Sequence, residues 1–311
     1  MQTAYAITAT LRSGTRGSPL ALAQAEELKR ALAGAGGLEE QSILIVPIRT
    51  NGDRINARPL SEAGGKGLFT KAIDDALLAG TIDIAVHSAK DLPTLLPDGI
   101  VIAGCLPRAD VRDAFISRRA RTLTDLPSGA VVGTASLRRS ALTLRARPDL
   151  KVVSMRGNVD TRLRKLDAGE ADANILAFAG LARLGLSARI TSPLGPDGWL
   201  PAAGQGAIAI TARSADAAAR ALLARIDHRA TSLTLLTERA FLARLDGSCR
   251  TPIGGLAEMM GDLIRFRGII VKPDGSAFHE VERRGSPADG ERIGDEAGGE
   301  LARRGGADFF A

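Results

Sequence analysis

The chain has little of what marks several common classes of protein. Its 311 residues include only two cysteines and three histidines, and aromatic residues make up 3% of it. Two cysteines that lie far apart predict no disulfide framework, and their spacing to the histidines predicts no metal site. The sequence pI of about 9.8 raises nucleic acid as a partner. With so few aromatic rings to stack on bases, however, nucleic acid is not expected.

Long apolar runs are also missing. No stretch approaches the roughly 20 apolar residues of a membrane span, so no membrane partner is expected. Residues 1–10 lack a basic segment followed by an apolar core, which predicts no signal peptide and a cytoplasmic location. The 45% hydrophobic and 24% charged residues are typical of a globular protein, and the length allows two or three domains.

Positive charge is concentrated in one short segment. Residues 131–164 hold seven arginines and carry a net charge of +6, which equals the formal charge of the whole chain. Strand-like runs at 131–135 and 151–154 each precede a predicted helix, so the arginines are expected at strand-to-helix turns. Arginine side chains and helix N-termini that meet in one place predict a site for a ligand with several carboxylates or phosphates.

Strand-like and helix-like runs alternate along the chain, which predicts an α/β fold with mostly parallel sheets. The first strand is predicted at residues 6–11. Ser18 and Pro19 predict the start of a first helix over residues 20–33. An apolar run at 207–212 follows a complete α/β unit, and we expect it to return to the first sheet.

Three domains are predicted from this pattern. Residues 1–106 and 201–224 form a discontinuous first α/β domain, and residues 107–200 form a second. Residues 225–311 form a small α+β domain, with a cysteine-containing loop followed by strands that alternate polar and apolar residues. Proline and glycine are frequent in the crossing between the units, where Gln205 would either contact a ligand or simply span the hinge.

The turn before residues 137–146 is the first candidate for the ligand site. Ser136 is the predicted N-cap of that helix, which places Arg138 and Arg139 in its first turn. The helix macrodipole disfavours cations there, so an anion is expected next to them. The alternative is that each arginine lies on an ordinary solvated surface.

Further basic residues are predicted at similar turns. Arg156 comes directly after a strand-like run, and Arg162 lies early in the next helix. Arg16 lies between a strand and a helix start. Lys66 stands in a glycine-rich turn that lacks the residue spacing of a P-loop.

Two other residues carry reactive groups. Asp91 follows a strand predicted at residues 82–87, where open α/β sheets bind ligands, and its carboxylate could act as an acid, a base or a counter-ion. The alternative is a turn residue before Leu-Pro. Cys249 lies beside Arg250 in a Gly/Ser/Pro loop, which favours an accessible thiolate, although an incidental loop thiol is the simpler interpretation.

Seven segments together resemble the porphobilinogen deaminase (hydroxymethylbilane synthase) family. They occur in the family's order and cover residues 12–255. The segments are GTRGSPLALAQ (14–24), GGKGLFTK (64–71), DIAVHSAKDLP (83–93), VGTASLRRSAL (132–142), MRGNVDTRLRKL (155–166), LPAAGQGAIAI (200–210) and GSCRTPIGG (247–255).

The resemblance implies a fold and an activity. The first two domains would be similar to type II periplasmic binding proteins and enclose a cleft, and the third would carry the cofactor loop. The enzyme would be a transferase of tetrapyrrole and heme biosynthesis, active as a monomer. It would condense four porphobilinogen units onto a dipyrromethane cofactor, with loss of ammonia at each step, and release hydroxymethylbilane by hydrolysis.

The resemblance also implies the roles of individual residues. Cys249 would hold the cofactor through a thioether, and Asp91 would be the catalytic carboxylate. The implied cofactor-binding residues are Cys249, Lys90, Asp91, Ser136, Arg138, Arg139 and Arg156. The implied substrate-binding residues are Arg16, Ser18, Lys66, Arg162, Arg183 and Gln205. The alternative is a non-catalytic polycarboxylate- or anion-binding protein of the periplasmic-binding-protein type, which would leave Cys249 without a use.

Overall fold

The described residues form three β-sheets. The computed structural model describes residues 10–50, 70–245, 247, 251–306 and 308–310. Lys66 and Cys249, which the sequence analysis singles out, lie outside the described residues. Among the helices in these ranges, none combines the length and apolar character needed to cross a membrane.

The first sheet contains five strands. Its elements are β1 (Leu11–Arg16), α1 (Pro19–Gly34), β2 (Ile43–Ile48), α2 (Lys71–Leu78), β3 (Ile84–Ser88), β4 (Ile100–Cys105) and, much later in the chain, β10 (Ile208–Arg213). The strand order is β2-β1-β3-β10-β4, with β10 antiparallel to both of its neighbours. The return of the chain to the first sheet is therefore confirmed.

The second sheet repeats this arrangement. Its elements are β5 (Asp113–Ser117), β6 (Val131–Gly133), α3 (Leu137–Ala146), β7 (Lys151–Val153), α4 (Val159–Asp167), β8 (Ala173–Ala177), α5 (Phe178–Arg183) and β9 (Ser192–Leu194). The strand order is β7-β6-β8-β5-β9, and β5 is the antiparallel strand. In both sheets, the parallel strands end at the edge where the predicted site residues follow.

The third sheet is an antiparallel meander. The helix α6 (Ala217–Ala224) follows β10 and packs on the first sheet, against β4 and β10. The unit of the third sheet comprises α7 (Arg229–Arg244), β11 (Ile253–Met260), β12 (Leu263–Val271), β13 (Phe278–Gly285) and α8 (Gly290–Gly305). Phe241 of α7 packs against Phe266 of β12, and both are fully buried. The predicted mixture of two α/β units and a small α+β unit is confirmed. Each sheet lies within one predicted domain, whose exact boundaries stay predictions.

Most of the first strand predicted at residues 6–11 lies outside the described residues, which begin at residue 10. The strand in the described residues is Leu11–Arg16, which pairs with β2 on one side and β3 on the other. Ser13 and Thr15 are buried in it, 1% and 0% exposed, so small polar residues occupy core positions and hide the hydrophobic pattern. As a consequence, Arg16 ends the strand and lies directly at the edge of the sheet.

The chain returns from the second sheet to the first through residues 195–207, the return crossing. Within it, Gln205 lies between two glycines with left-handed backbone. Gly204 has a φ of 74° and Gly206 a φ of 84°. A Cβ on Gly206 would lie 2.5 Å from the carbonyl oxygen of Ala109. Ala109 belongs to residues 106–112, the outgoing crossing from the first sheet to the second. Because Ala109 N also donates a hydrogen bond to Gly206 O at 3.2 Å, the two crossings are in direct contact.

We expect Gly206→Ala to destabilise the protein more than Gly129→Ala does. Gly129 has a φ of 75° in an exposed turn, and a Cβ there would meet nothing within 4 Å. Gly129→Ala therefore measures only the free-energy cost of a left-handed backbone at a residue with a side chain, about 1–2 kcal/mol. Gly206→Ala adds the clash with Ala109 O, for a total above about 3 kcal/mol. The measurement is the free energy of unfolding in urea, and equal losses in the two variants would contradict the close contact between the crossings.

Candidate functional site

The ends of β1 and β3 bring Arg16, Ser18 and Asp91 together. Ser18 is the N-cap of α1, as predicted, and its Oγ accepts a hydrogen bond from Ala21 N at 3.3 Å. Asp91 closes a short 3-10 turn directly after β3. Arg16 Nη1 lies 3.8 Å from Asp91 Oδ2, and the Asp91 side chain is 37% exposed. A ligand in front of the sheet edge can therefore reach this carboxylate.

A pocket opens beside this pair. Its lining includes Arg16, Ser18, Gln24, His87, Ser88 and Asp91. Gln24 and Ser88 hydrogen-bond each other, with Nε2 to Oγ at 2.9 Å and Oγ to Oε1 at 3.0 Å. Burial and the charge of Arg16 lower the pKa of His87 to about 4, so this imidazole is neutral at neutral pH. The pocket thus combines one guanidinium and one carboxylate with neutral hydrogen-bonding groups.

The helices of the second sheet begin where the sequence predicts. Ser136 caps α3 and accepts a hydrogen bond from Arg139 N at 3.4 Å. Asn158 caps α4 and accepts one from Thr161 N at 2.9 Å. These two N-termini and that of α1 carry the partial positive charge of their helices, which favours anions in front of them.

The anion expected beside Arg138 and Arg139 belongs to the protein itself. Asp113, the first residue of β5, receives Arg138 Nη2 on Oδ2 at 2.8 Å and Arg139 Nη2 on Oδ1 at 2.7 Å. The side chains of the two arginines are only 4% and 6% exposed. The expected anion beside the first turn of α3 is therefore present as the side chain of Asp113. A contact of either arginine with cofactor carboxylates stays a prediction.

Gln205 lies beneath the site and is fully buried. Its Nε2 donates to Asp113 Oδ1 at 2.8 Å and to Val111 O at 2.8 Å. Its Oε1 accepts from Lys90 Nζ at 3.2 Å. The structure therefore gives this amide protein partners from both α/β units, and its predicted contact with substrate stays a prediction.

Cations crowd each other around Asp91. Burial and then the charge of Arg139 lower the pKa of Lys90 to about 8. Burial, Arg139 and Arg156 likewise lower the pKa of Arg162 to about 10, although Asp91 acts in the opposite direction. Both shifts have the sign of positive charges held close together in a low dielectric. An anionic ligand would relieve this repulsion.

Arg183 lies apart from this group. Its Nε donates to Glu27 Oε2 of α1 at 2.9 Å, and its Nη2 donates to Gly206 O at 3.2 Å. It therefore joins α5 to the first α/β unit and to the return crossing. Its predicted role in substrate binding stays a prediction.

Two buried carboxylates that accept hydrogen bonds from side chains in and near the site were not predicted from the sequence. Asp113 accepts hydrogen bonds from two arginines, Gln205 and Trp199, whose Nε1 lies 2.8 Å from Oδ2. Glu238 of α7 is 0% exposed and binds Arg108 through both oxygens, at 2.6 and 2.9 Å. An acidic residue directly before three apolar strand residues, as Asp113 is before Ala-Phe-Ile, is the signal that could have indicated the first of them.

The residues present fit a polycarboxylate group such as dipyrromethane. Arg16 lies 3.8 Å from the Asp91 carboxylate, which is 37% exposed, and the charges of Arg139 and Arg156 act on Arg162 in addition to its burial. Arg16 and Arg156 belong to the same group of cations, and the N-termini of α1, α3 and α4 add backbone donors. No cluster of three or more His, Cys, Asp or Glu side chains suited to a metal ion occurs in the described part of the chain.

Comparisons with known proteins agree with this chemistry. A family model described as "Porphobilinogen deaminase, dipyromethane cofactor binding domain" matches residues 11–221. A second, "Porphobilinogen deaminase, C-terminal domain", matches residues 232–303. A porphobilinogen deaminase of Nitrobacter winogradskyi is 58% identical over 297 residues, covering 96% of this chain and 94% of that protein. One of Paracoccus denitrificans is 55% identical over 300 residues, covering 96% of each chain.

Solved structures give a more distant likeness. A periplasmic substrate-binding protein of an ABC transporter from Coxiella burnetii matches with a TM-score of 0.45 and 18% identity, over 74% of this chain and 96% of that one. A putative methionine-binding lipoprotein from Bacillus subtilis matches with a TM-score of 0.44 and 13% identity, over 70% and 90%. The two family models and the close relatives span nearly all of the sequence, and on that ground the chain belongs to the porphobilinogen deaminase family.

Proposed function

We propose that the chain builds hydroxymethylbilane from porphobilinogen, with Asp91 as the catalytic carboxylate and Cys249 as the attachment point of the dipyrromethane cofactor. The reaction and the cofactor follow from membership in the family. The alternative of a non-catalytic anion-binding protein loses its basis for the same reason. The assignment of Asp91 is supported by one observation, an exposed carboxylate close to Arg16 that acts electrostatically on Lys90 and Arg162. The assignment of Cys249 rests on the resemblance of its segment, GSCRTPIGG, to the family.

The reaction sets clear demands on the protein. Each condensation forms one carbon–carbon bond between pyrrole units and breaks the carbon–nitrogen bond of the aminomethyl group. Ammonia leaves, and the attacked pyrrole carbon loses a proton. When bound, dipyrromethane supplies the pyrrole carbon to which the next unit is joined. The protein must hold carboxylate side chains and stabilise the positive charge that develops as ammonia departs.

Asp91 meets the second demand. Its carboxylate is reachable from the pocket, and it can accept hydrogen bonds from pyrrole N–H groups while it opposes a developing cation. Arg16, at 3.8 Å, is close enough to orient it without burying it. Lys90 precedes Asp91 in the chain, and its Nζ donates a hydrogen bond to Gln205 Oε1.

The surrounding cations meet the first demand. Arg16, Lys90, Arg156 and Arg162 stand around one carboxylate, and guanidinium groups bind carboxylates through paired hydrogen bonds. The capped helix N-termini at Ser18 and Ser136 add backbone N–H donors. Acetate and propionate groups of the substrate therefore have more than one binding position, which suits a product that lengthens in place.

Lys66, Arg183 and Gln205 complete the proposed set of substrate-binding residues, with Lys66 outside the described part of the chain. We also propose that the protein acts as a monomer in the cytoplasm. One chain supplies all the residues assigned above, and the proposed substrate is a small polar molecule.

We expect Asp91→Asn to carry the dipyrromethane adduct and yet to lose turnover. The neutral amide keeps the shape of the side chain but cannot oppose the developing cation, so kcat should fall by about 100-fold or more. Intact-mass measurement reports the adduct, and porphobilinogen consumption reports turnover. Asp98→Asn, in the exposed turn that follows, is the matched control for a lost carboxylate.

Cys249→Ser supplies the second reference, since it should show no adduct. Turnover of Asp91→Asn within about twofold of the parent would remove Asp91 from the reaction. A parent chain that carries no adduct after incubation with porphobilinogen, and consumes none, would contradict the proposed function as a whole.

We expect the KM for porphobilinogen to rise as pH increases through about 8. The pKa of Lys90 is lowered to about 8 by burial and by Arg139, against the charges of Asp91 and Asp113, so its cationic form is lost in this range. The arginine of Lys90→Arg keeps its charge at every working pH, so the KM of this variant should not rise with pH. This rise in KM is the pH limb assigned to Lys90. Comparing the two pH profiles removes the titration of the substrate itself, and identical profiles would contradict a binding role for Lys90.

A further inference from the structure

Asp113 has no exposed surface and no capacity left for a ligand. It is 0% exposed, and five N–H groups point at its two oxygens. Oδ1 accepts from Arg139 Nε at 3.1 Å, Arg139 Nη2 at 2.7 Å and Gln205 Nε2 at 2.8 Å. Oδ2 accepts from Arg138 Nη2 and from Trp199 Nε1, both at 2.8 Å. A carboxylate has about four lone-pair positions, so Asp113 can act only through its neighbours.

The orientation of Arg139 depends on this carboxylate. Two of its nitrogens bind Oδ1, and Nη1 donates to Ile175 O at 3.2 Å. The guanidinium is thereby fixed in one plane at the N-terminus of α3. Arg138 is fixed in the same way, between Asp113 and Leu200 O at 2.8 Å.

The orientation of Gln205 depends on it as well. Nε2 faces three acceptors: Asp113 Oδ1 at 2.8 Å, Val111 O at 2.8 Å and Arg112 O at 3.2 Å. The two hydrogens of the amide nitrogen go to the two nearer acceptors, with Arg112 O at the longer distance, and this leaves Oε1 turned toward cations. Oε1 then accepts from Lys90 Nζ at 3.2 Å and from Arg139 Nη2 at 3.4 Å. A continuous chain of hydrogen bonds runs from β5 to the residue before Asp91.

The charge of Asp113 is as necessary as its shape. Burial alone would raise its pKa, but Arg138, Arg139 and the hydrogen bonds from Arg139 and Gln205 hold the pKa well below the ordinary range. The group stays ionised at every working pH. Without this anion, two guanidinium groups would lie side by side with Lys90 nearby, in a region that water does not reach.

We propose that Asp113 is a positioning residue for the reaction, which holds Arg139 and, through Gln205, Lys90 in place beside Asp91. This inference rests on the proposed function. Under this inference, Asp113 of the second sheet determines the position of the ammonium group of Lys90, which follows a strand of the first sheet. The same carboxylate therefore fixes the binding groups and the relative position of the two α/β units.

The test compares Asp113→Asn with Asp83→Asn. Asp83 precedes β3, at the opposite end from Asp91, and binds Arg12 through Oδ1 at 2.7 Å and Oδ2 at 3.1 Å. Both substitutions remove a charged partner of arginine, so the control reports destabilisation without any effect on the site. The measurements are the fraction of chain that carries the adduct, kcat and KM for porphobilinogen, the pH profile, and the urea midpoint.

For Asp113→Asn we expect a smaller adduct fraction and a KM raised by about tenfold or more, the effect of one weakened charge-assisted hydrogen bond. The kcat of the loaded fraction should change much less. The pH limb assigned to Lys90 should move to lower pH, because Lys90 then faces Arg138 and Arg139 with only Asp91 to oppose them. Asp83→Asn should lower the urea midpoint and leave adduct fraction and KM within about twofold.

Asp113→Asn with parental adduct fraction, KM and pH profile would overturn the inference, whatever its urea midpoint. If that variant does not fold, Gln205→Met carries the test, since it keeps the Asp113–arginine pairs and severs the link to Lys90. A raised KM together with a shift of the pH limb assigned to Lys90 supports the inference, and a parental KM with a parental pH profile overturns it. A parent chain without the adduct would instead show that the proposed function is wrong.

Discussion

One buried carboxylate, Asp113, makes it possible for two arginines to stand at the N-terminus of α3. The helix macrodipole opposes cations there, and burial opposes them further. Asp113 offsets both by accepting hydrogen bonds from Arg138 and Arg139. Because Trp199 and Gln205 bind the same carboxylate, the return crossing is fixed by the interaction that fixes the arginines. Charge compensation and domain placement thus depend on a single side chain.

This compensation is incomplete, and the remainder serves function. Asp113 balances one of the two buried guanidinium groups, while Lys90, Arg156 and Arg162 add further positive charge around Asp91. Burial lowers the pKa values of Lys90 and Arg162, and the charge of Arg139 lowers them further. In the proposed function, a molecule that carries several carboxylates binds among these cations, and Asp91 lies beside the cation that forms during condensation.

Much of this could be predicted from the sequence, because the signals are local. Caps at Ser18 and Ser136 are decided within one turn, and the arginine-rich segment is visible in its composition. The strand Leu11–Arg16 was not predicted over its full length because buried Ser13 and Thr15 replace the apolar pattern. Asp113 was missed because its partners lie far away in the sequence, and no local pattern reveals a pairing of that kind. For the same reason, the sequence predicted an anion beside Arg138 without identifying Asp113 as one.

The most direct test of the cationic site is to compare porphobilinogen with its analogue in which both carboxylates are esterified. Intact-mass measurement follows the uptake of each compound by the same chain. Because each lost charge-assisted hydrogen bond costs about 1.5–3 kcal/mol, the ester should be taken up at least about 100-fold more slowly. Uptake of the two compounds at equal rates would show that the positive charge around Asp91 does not hold the substrate.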